Sequence, residues 1–207
     1  MSSMTSVGGQ HVEAAVGEMT RVLMPHAKVD WHVQAGSLEW SCWETAAHVA
    51  HDLVAYAGQV AGGATASYLP FDLVVAPSPP REVLEVVAAC GRLLRGAVEH
   101  AGPETVAWHW GMSDAAGFAA MGVAETLVHT HDITQGLGVG WRPPESLSQL
   151  VVDRLLPNAP QGRASDVLLW ATGRADLEER PRVGETPPRF AIRAGRVGTG
   201  SPTIDRS

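Results

Sequence analysis

Four long segments in which apolar residues recur at helical spacing dominate this chain, and Gly- and Pro-rich stretches separate them. They are Gln10 to Lys28, Ser41 to about Ala61, Pro80 to His100, and Ser113 to Leu137. Apolar residues three and four positions apart line one face of an α-helix, so each segment predicts an amphipathic helix. Four such helices, each of roughly twenty residues, favour an all-α fold and, within that class, a four-helix bundle.

In the chain after this predicted bundle, apolar residues recur less regularly at helical spacing, and Gly and Pro are more frequent. Residues 143–156 and 163–172 predict two more helices, and Phe190 to Ile192 predicts one strand near a disordered end. We therefore expect a bundle domain over residues 10–140 and a C-terminal extension, helical and irregular, over residues 141–207. Arg174 and Arg180 in this extension are candidates for contact with a substrate carboxylate.

Composition excludes several classes of protein. The 207-residue chain has a net charge of −7 and one lysine, Lys28, which argues against nucleic acid as a partner. No stretch approaches the run of about twenty apolar residues that crosses a membrane, so no membrane partner is expected. Cys42 and Cys90 lie in no Cys-x-x-Cys pair and the first ten residues contain no apolar run, which favours a reducing cytoplasm and no signal peptide.

Glu125 and His129 give the clearest indication of chemistry. Residues four apart on a helix lie on one face, with Cβ atoms about 5–6 Å apart. A carboxylate oxygen and a neutral imidazole nitrogen are both common ligands of zinc-like ions, so the pair predicts part of a metal site. The alternative is an exposed Glu–His pair without a ligand. Asp132, three residues beyond His129, is placed to orient the imidazole or to bond to a neighbouring helix.

A third ligand is expected from the second helix, which carries His48 and His51. The apolar stripe of that helix leaves His48 on the opposite side, together with Asp52 and Gln59, whereas His51 lies nearer the edge of the stripe. Periodicity alone therefore favours His51 as the ligand and places His48 in solvent. Three protein ligands leave a position open for substrate and indicate a catalytic site, whereas four would close the site.

Three motifs resemble those of a known family. Trp40 to His48 match the pattern Trp-(Ser/Thr)-x-x-(Asp/Glu)-x-x-x-His, and Glu125 to Ile133 match Glu-x-x-x-His-x-Trp-Asp-(Leu/Ile), with His131 at the Trp position. Residues 168–174 resemble a Leu-Leu-Trp-x-Thr-Gly-Arg segment that follows the domain in many actinobacterial members. The chain thus resembles the DinB-like metalloproteins, and within them the mycothiol-dependent maleylpyruvate isomerase N-terminal domain family.

The resemblance implies a DinB-like four-helix bundle in which His48, Glu125 and His129 hold a divalent metal, with zinc as the expected ion. It also implies mycothiol as a co-substrate. His51, which stands where the family commonly has a small residue, and Asp132, three residues beyond His129, are candidates for catalytic roles beside the metal. The implied activity is S-transfer, or cis–trans isomerisation of a small electrophilic substrate, by a metal-activated thiol. Metal-dependent hydrolysis and a non-catalytic bundle that binds a metal or a small molecule are the alternatives.

Overall fold

The structure, a computed structural model, describes residues 6–183, and within this range the fold is mainly helical. The helices are α1 (Gly9–Leu23), α2 (Cys42–Gly62), α3 (Pro80–His100), α4 (Ala115–Gly136), α5 (Glu145–Leu155) and α6 (Ala164–Ala171). The strand predicted at Phe190 to Ile192 and the predicted disordered end lie outside the described residues. None of the helices in the described range combines the length and the apolar character that crossing a membrane requires.

Local chemistry accounts for the helix ends. Ser41 and Glu44 form the expected capping box at the start of α2, where the Glu44 N–H donates to the Ser41 hydroxyl and the Ser41 N–H donates to the Glu44 carboxylate. Gly63 ends α2 with a left-handed φ of 56°. Helix α1 is shorter than predicted because Pro25 lacks a donor, and the chain continues as a 3-10 turn over Met24–His26.

The first four helices pack on one another around one apolar core. Helix α2 packs against α3 and α4, and α1 packs against the same two helices. Helix α4 is buried on most of its surface, and Gly122 lies where α4 approaches Leu94 of α3 and Leu53 of α2. A Cβ at Gly122 would lie 2.5 Å from Leu94 Cδ2, so a larger residue here would force the Leu94 side chain to move.

A two-stranded antiparallel sheet precedes α4, with β1 (Val106–Trp108) paired to β2 (Met112–Asp114). Buried Gln59 of α2 ties this hairpin to the loop that follows α2. Its amide nitrogen donates to the Trp108 carbonyl at 2.8 Å, and its amide oxygen accepts the Leu69 N–H at 2.9 Å. The loop and the hairpin are therefore held together over one face of α2.

The C-terminal extension returns the chain to α4. Helix α5 packs against α4, and α6 packs against α5. The Glu145 carboxylate at the start of α5 accepts the Ala164 N–H at 2.6 Å and so caps α6. After α6 the chain turns back at Gly173, and the next residue, Arg174, contacts Asp132 of α4.

Candidate metal centre

Helix α4 presents Glu125, His129 and Asp132 on one face, as the spacing predicted. Glu125 Oε2 lies 3.3 Å from His129 Nε2, and Asp132 Oδ2 lies 3.0 Å from His129 Nδ1. Both nitrogens of the imidazole therefore face carboxylate oxygens. The His129 side chain is only 7% exposed, so its orientation is fixed by packing and by these two contacts.

Helix α2 contributes His48 to the same place. Its ring centroid lies 5.1 Å from that of His129, and 4.7 Å from that of Trp40. Asp52, one turn further along α2, places Oδ2 3.1 Å from His48 Nε2. His48, Glu125 and His129 each offer a ligand atom, and the three atoms lie within 4.8 Å of one another.

This donor set suits a divalent metal ion. Two imidazole nitrogens and one carboxylate oxygen match the ligands that zinc takes in catalytic sites. Each histidine also has a carboxylate that holds its other nitrogen as an N–H, namely Asp52 at His48 Nε2 and Asp132 at His129 Nδ1. Such partners fix the tautomer and leave the remaining ring nitrogen with a lone pair for a metal ion.

The electrostatics of the three buried groups on α4 favour their charged forms. Burial lowers the pKa of His129, but hydrogen bonds to Asp132 and Glu125 outweigh it and raise that pKa to about 9. Burial raises the pKa values of Glu125 and Asp132, but the combined effect of the hydrogen bonds and nearby positive charges outweighs it, and both pKa values are lowered. For Glu125 these come from His129, His48 and Arg174, and for Asp132 from His129 and Arg174. The pocket thus stabilises a positive charge between the two carboxylates, which is where a metal ion would place its own charge.

Arg174 also holds Asp132, and it shares the Oδ2 atom of that carboxylate with His129. Its Nη2 lies 2.8 Å from Asp132 Oδ2 and its Nε lies 3.2 Å from Oδ1, a two-point contact that fits a guanidinium to a carboxylate. Its Nη1 also donates to the Thr172 carbonyl at 2.6 Å. Arg174 was expected as a contact for a substrate carboxylate, and in the structure it joins the extension to the residues around His129.

His51 stands apart from the three candidate ligands. Its Nδ1 lies 3.0 Å from Asp72 Oδ1 and 3.3 Å from the Leu73 N–H. These two contacts fit different protonation states, because a protonated Nδ1 donates to Asp72 and an unprotonated Nδ1 accepts from Leu73. Among the described residues, the cluster that can hold a metal contains His48 and does not contain His51.

A cavity of about 340 Å³ lies next to Asp52, the residue that contacts His48, and none of the three candidate ligands lines it. His51, Asp52 and Tyr56 of α2 form one wall, and the loop after α2 and the hairpin turn supply the others. Asp52 lines the cavity and contacts His48, so it connects the cavity to the candidate metal ligands. Burial, with the negative charges of Asp52 and Glu125 added, raises the pKa of Tyr68 in the cavity wall.

The helical periodicity of α2 was a poor guide to its exposed side. Thr45 and Gln59 are fully buried and Tyr56 nearly so, and they form a second buried stripe beside the apolar one. His48 and Asp52 lie along this polar stripe and are half-buried. The His48 side chain is 31% exposed, the same as that of His51, so periodicity did not distinguish the two histidines.

Some residues of the site were missed by reasoning from sequence. The sequence analysis assigned no role to three of them, Asp52, Tyr68 and Asp72. The four-residue spacing of His48 and Asp52 could have predicted that these two side chains lie on one face of α2. Cys42, by contrast, is buried beside the Ile133 carbonyl, and burial raises the pKa of its thiol to about 11.

No protein-family model, no curated protein and no solved structure matches this chain.

Proposed function

We propose that α1 to α4 form a DinB-like four-helix bundle, and that this protein is a metal-dependent enzyme of the mycothiol-dependent isomerase type. The bundle would occupy residues 10–140 and residues 141–207 would form the extension. The substrate would be a small electrophile, and the co-substrate a low-molecular-weight thiol such as mycothiol. Transfer of the thiol sulfur, or cis–trans isomerisation by reversible addition of the thiol, would be the reaction.

The observation that carries this proposal is that one ligand atom each of His48, Glu125 and His129 lies within 4.8 Å of the others, while Asp52, which contacts His48, lines a cavity. Three ligands from two helices would leave an ion open to a further ligand. A cluster that serves only to hold two helices together has no need of an adjoining cavity for a small molecule. The geometry therefore favours a catalytic site over the closed, non-catalytic alternative.

Each residue has a definable part in such a site. His48, Glu125 and His129 would hold the metal, with zinc as the expected ion, and Asp52 and Asp132 would orient the two imidazoles. When bound, a divalent ion would supply a Lewis acid that favours the thiolate form of a thiol. His51 is a group in the cavity wall that can take up a proton, with Asp72 placed to stabilise the imidazolium.

The proposed reaction balances without a redox partner. The thiol proton passes to His51, and the sulfur electron pair forms a bond to an electrophilic carbon conjugated to a carbonyl group. The displaced π electrons move onto the carbonyl oxygen. Rotation about the resulting single bond and expulsion of the thiolate give the isomer, whereas return of the proton to carbon gives the thioether product.

The test uses cobalt-substituted and zinc-loaded protein. Adding mycothiol or N-acetylcysteine to the cobalt form should produce sulfur-to-cobalt charge-transfer absorption, which reports thiol binding without knowledge of the substrate. The zinc form should then add the thiol to a conjugated electrophile or isomerise maleylpyruvate. Both signals should be lost in Glu125→Gln and retained in Glu85→Gln, a matched change at an exposed glutamate of α3.

Two outcomes would contradict the proposal in different ways. Zinc-dependent turnover of an ester or amide without any thiol would identify a hydrolase. A fully loaded metal site that neither binds thiols nor turns over any substrate would identify a non-catalytic metal-binding protein.

A further inference from the structure

The reaction proposed above places negative charge on a carbonyl oxygen of the substrate, and a hydrogen-bond donor in the cavity would stabilise that charge. No lysine or arginine among residues 6–183 lines the cavity, and the proposed reaction already uses His51 as the proton acceptor. The chain has two tyrosines, and both line the cavity. Tyr56 is nearly fully buried, whereas Tyr68 is half-buried, so Tyr68 is the hydroxyl donor with better access to a ligand.

The Tyr68 hydroxyl is hydrogen-bonded to Nδ1 of His109. Both side chains line the cavity, Tyr68 from the loop after α2 and His109 from the hairpin turn. A neutral imidazole carries one proton, and a hydroxyl group can accept one hydrogen bond while it donates another. With its proton on Nδ1, His109 donates to the Tyr68 oxygen, and the phenol proton is then available to a ligand.

Buried Gln59 holds the backbone next to both members of this pair. Its amide oxygen accepts the Leu69 N–H at 2.9 Å, on one side of Tyr68. Its amide nitrogen donates to the Ser67 carbonyl at 3.2 Å and to the Trp108 carbonyl, next to the histidine, at 2.8 Å. One buried side chain therefore fixes the loop and the hairpin together, and the donor is positioned before a ligand arrives, as transition-state stabilisation requires.

The electrostatics of the pair fit a neutral donor. Burial, with the negative charges of Asp52 and Glu125 added, raises the pKa of Tyr68, so the phenol keeps its proton at neutral pH. Burial lowers the pKa of His109 below its ordinary 6.5, so the imidazole is neutral there. The charge of Glu125, a candidate metal ligand, acts on both residues, which puts the pair within electrostatic reach of the candidate metal centre.

Resting on the proposed function, we propose that Tyr68 is a catalytic residue that donates a hydrogen bond to the substrate carbonyl oxygen, and that His109 positions its hydroxyl. The hydrogen bond strengthens as sulfur bonds to carbon and the π electrons move onto the oxygen. Tyr68 keeps its proton throughout. When the thiolate is expelled, the electron pair returns from the oxygen to re-form the double bond, and the proton held by His51 returns to the thiolate.

Tyr68→Phe tests the donor because it removes one oxygen and keeps the ring, whose centroid lies 5.7 Å from that of Trp108. In the zinc-loaded full chain, kcat for thiol-dependent turnover of the conjugated electrophile should fall about 10²–10³-fold. KM, zinc content and the thiol-to-cobalt absorption should stay as in the wild type, because the donor acts mainly in the transition state. Ser67→Ala, which removes an exposed hydroxyl from the neighbouring residue, is the control and should leave kcat unchanged.

Two measurements test the positioning role of His109. His109→Leu should lower kcat about tenfold, which corresponds to the loss of one hydrogen bond, and His109→Asn, which keeps a side-chain donor, should recover part of that loss. NMR of the chain labelled with ¹⁵N-histidine identifies the tautomer without any turnover. The histidine signals that disappear in His109→Asn should show a protonated Nδ1, and they should shift in Tyr68→Phe.

A kcat of Tyr68→Phe within about threefold of the wild-type value would overturn the proposal and leave the proposed function standing. A His109 ring protonated at Nε2 alone would do the same, because the Tyr68 proton would then be used within the pair. Loss of zinc or of thiol binding in Tyr68→Phe would also overturn the proposal, since it would make the hydroxyl structural. A wild type that binds zinc but turns over no electrophile with a thiol would overturn the proposed function and this assignment together.

Discussion

Removing Arg174 should destabilise the protein because it leaves a buried carboxylate short of a partner. The Asp132 side chain is only 3% exposed, and Arg174 gives it two charged hydrogen bonds at 2.8 and 3.2 Å. Breaking a buried ion pair from one side costs about 3–5 kcal/mol. Because the Arg174 side chain is 18% exposed and His129 still contacts Asp132, we expect Arg174→Met to cost about 2–4 kcal/mol.

The assay is urea unfolding of the metal-free protein in the presence of a chelator, followed by circular dichroism. In a thermal melt, the same loss of about 2–4 kcal/mol in the free energy of unfolding would lower the melting temperature by about 4–16 °C for a chain of this size. Arg142→Met is the matched control, since Arg142 pairs with Asp166 at the surface and its loss should cost about 1 kcal/mol or less.

A double-mutant cycle separates the ion pair from lost packing. In an Asp132→Asn background, Arg174→Met should cost at least about 1 kcal/mol less than in the wild type, because the buried charge has been removed. Equal costs for Arg174→Met and Arg142→Met, or no coupling between positions 132 and 174, would refute this reasoning.

Two further predictions test helix packing and pH dependence. Gly136→Ala should lower the free energy of unfolding by about 1–3 kcal/mol, because a Cβ there would collide with the Gln34 carbonyl and the Cys42 sulfur. Gly96→Ala, at an open position of α3, should raise it by about 0.5–1 kcal/mol. Urea unfolding measures both, and similar effects of the two changes would contradict the described packing of α4. Burial lowers the pKa of His109 below its ordinary 6.5, so as pH falls below 6.5 the unfolded chain takes up the proton first and the folded state loses stability. The free energy of unfolding should therefore fall more steeply from about pH 6.5 to 5 in the wild type than in His109→Asn, and parallel slopes would contradict this assignment.

Much of the fold was readable from the sequence because its signals are local. The Ser41–Glu44 capping box, Gly63 and Pro80 mark helix ends through contacts within a few residues, and the structure places α2 and α3 accordingly. The spacing of Glu125, His129 and Asp132 likewise fixed their shared face. Such features follow from helix geometry and do not depend on how the helices pack.

The rest of the site depends on contacts between distant segments. Gln59 was expected on the solvated side of α2, and it is buried because the loop and the hairpin cover that side through its hydrogen bonds. The contact of Arg174 with Asp132 spans 42 positions and depends on where the extension returns to α4. No local pattern marks such a pairing, so periodicity predicted the helices better than it predicted their polar neighbours.

The measurement that tests the central claim most directly is the zinc content of the purified chain and of single Ala variants at His48, His51, Glu125 and His129. Zinc is determined by elemental analysis after dialysis against a weak competing chelator. We predict about one zinc per chain in the wild type and in His51→Ala, and loss of zinc in the other three variants. Loss of zinc in His51→Ala as well would indicate a closed four-ligand site, and a wild type that binds no zinc or any other divalent metal would contradict the account.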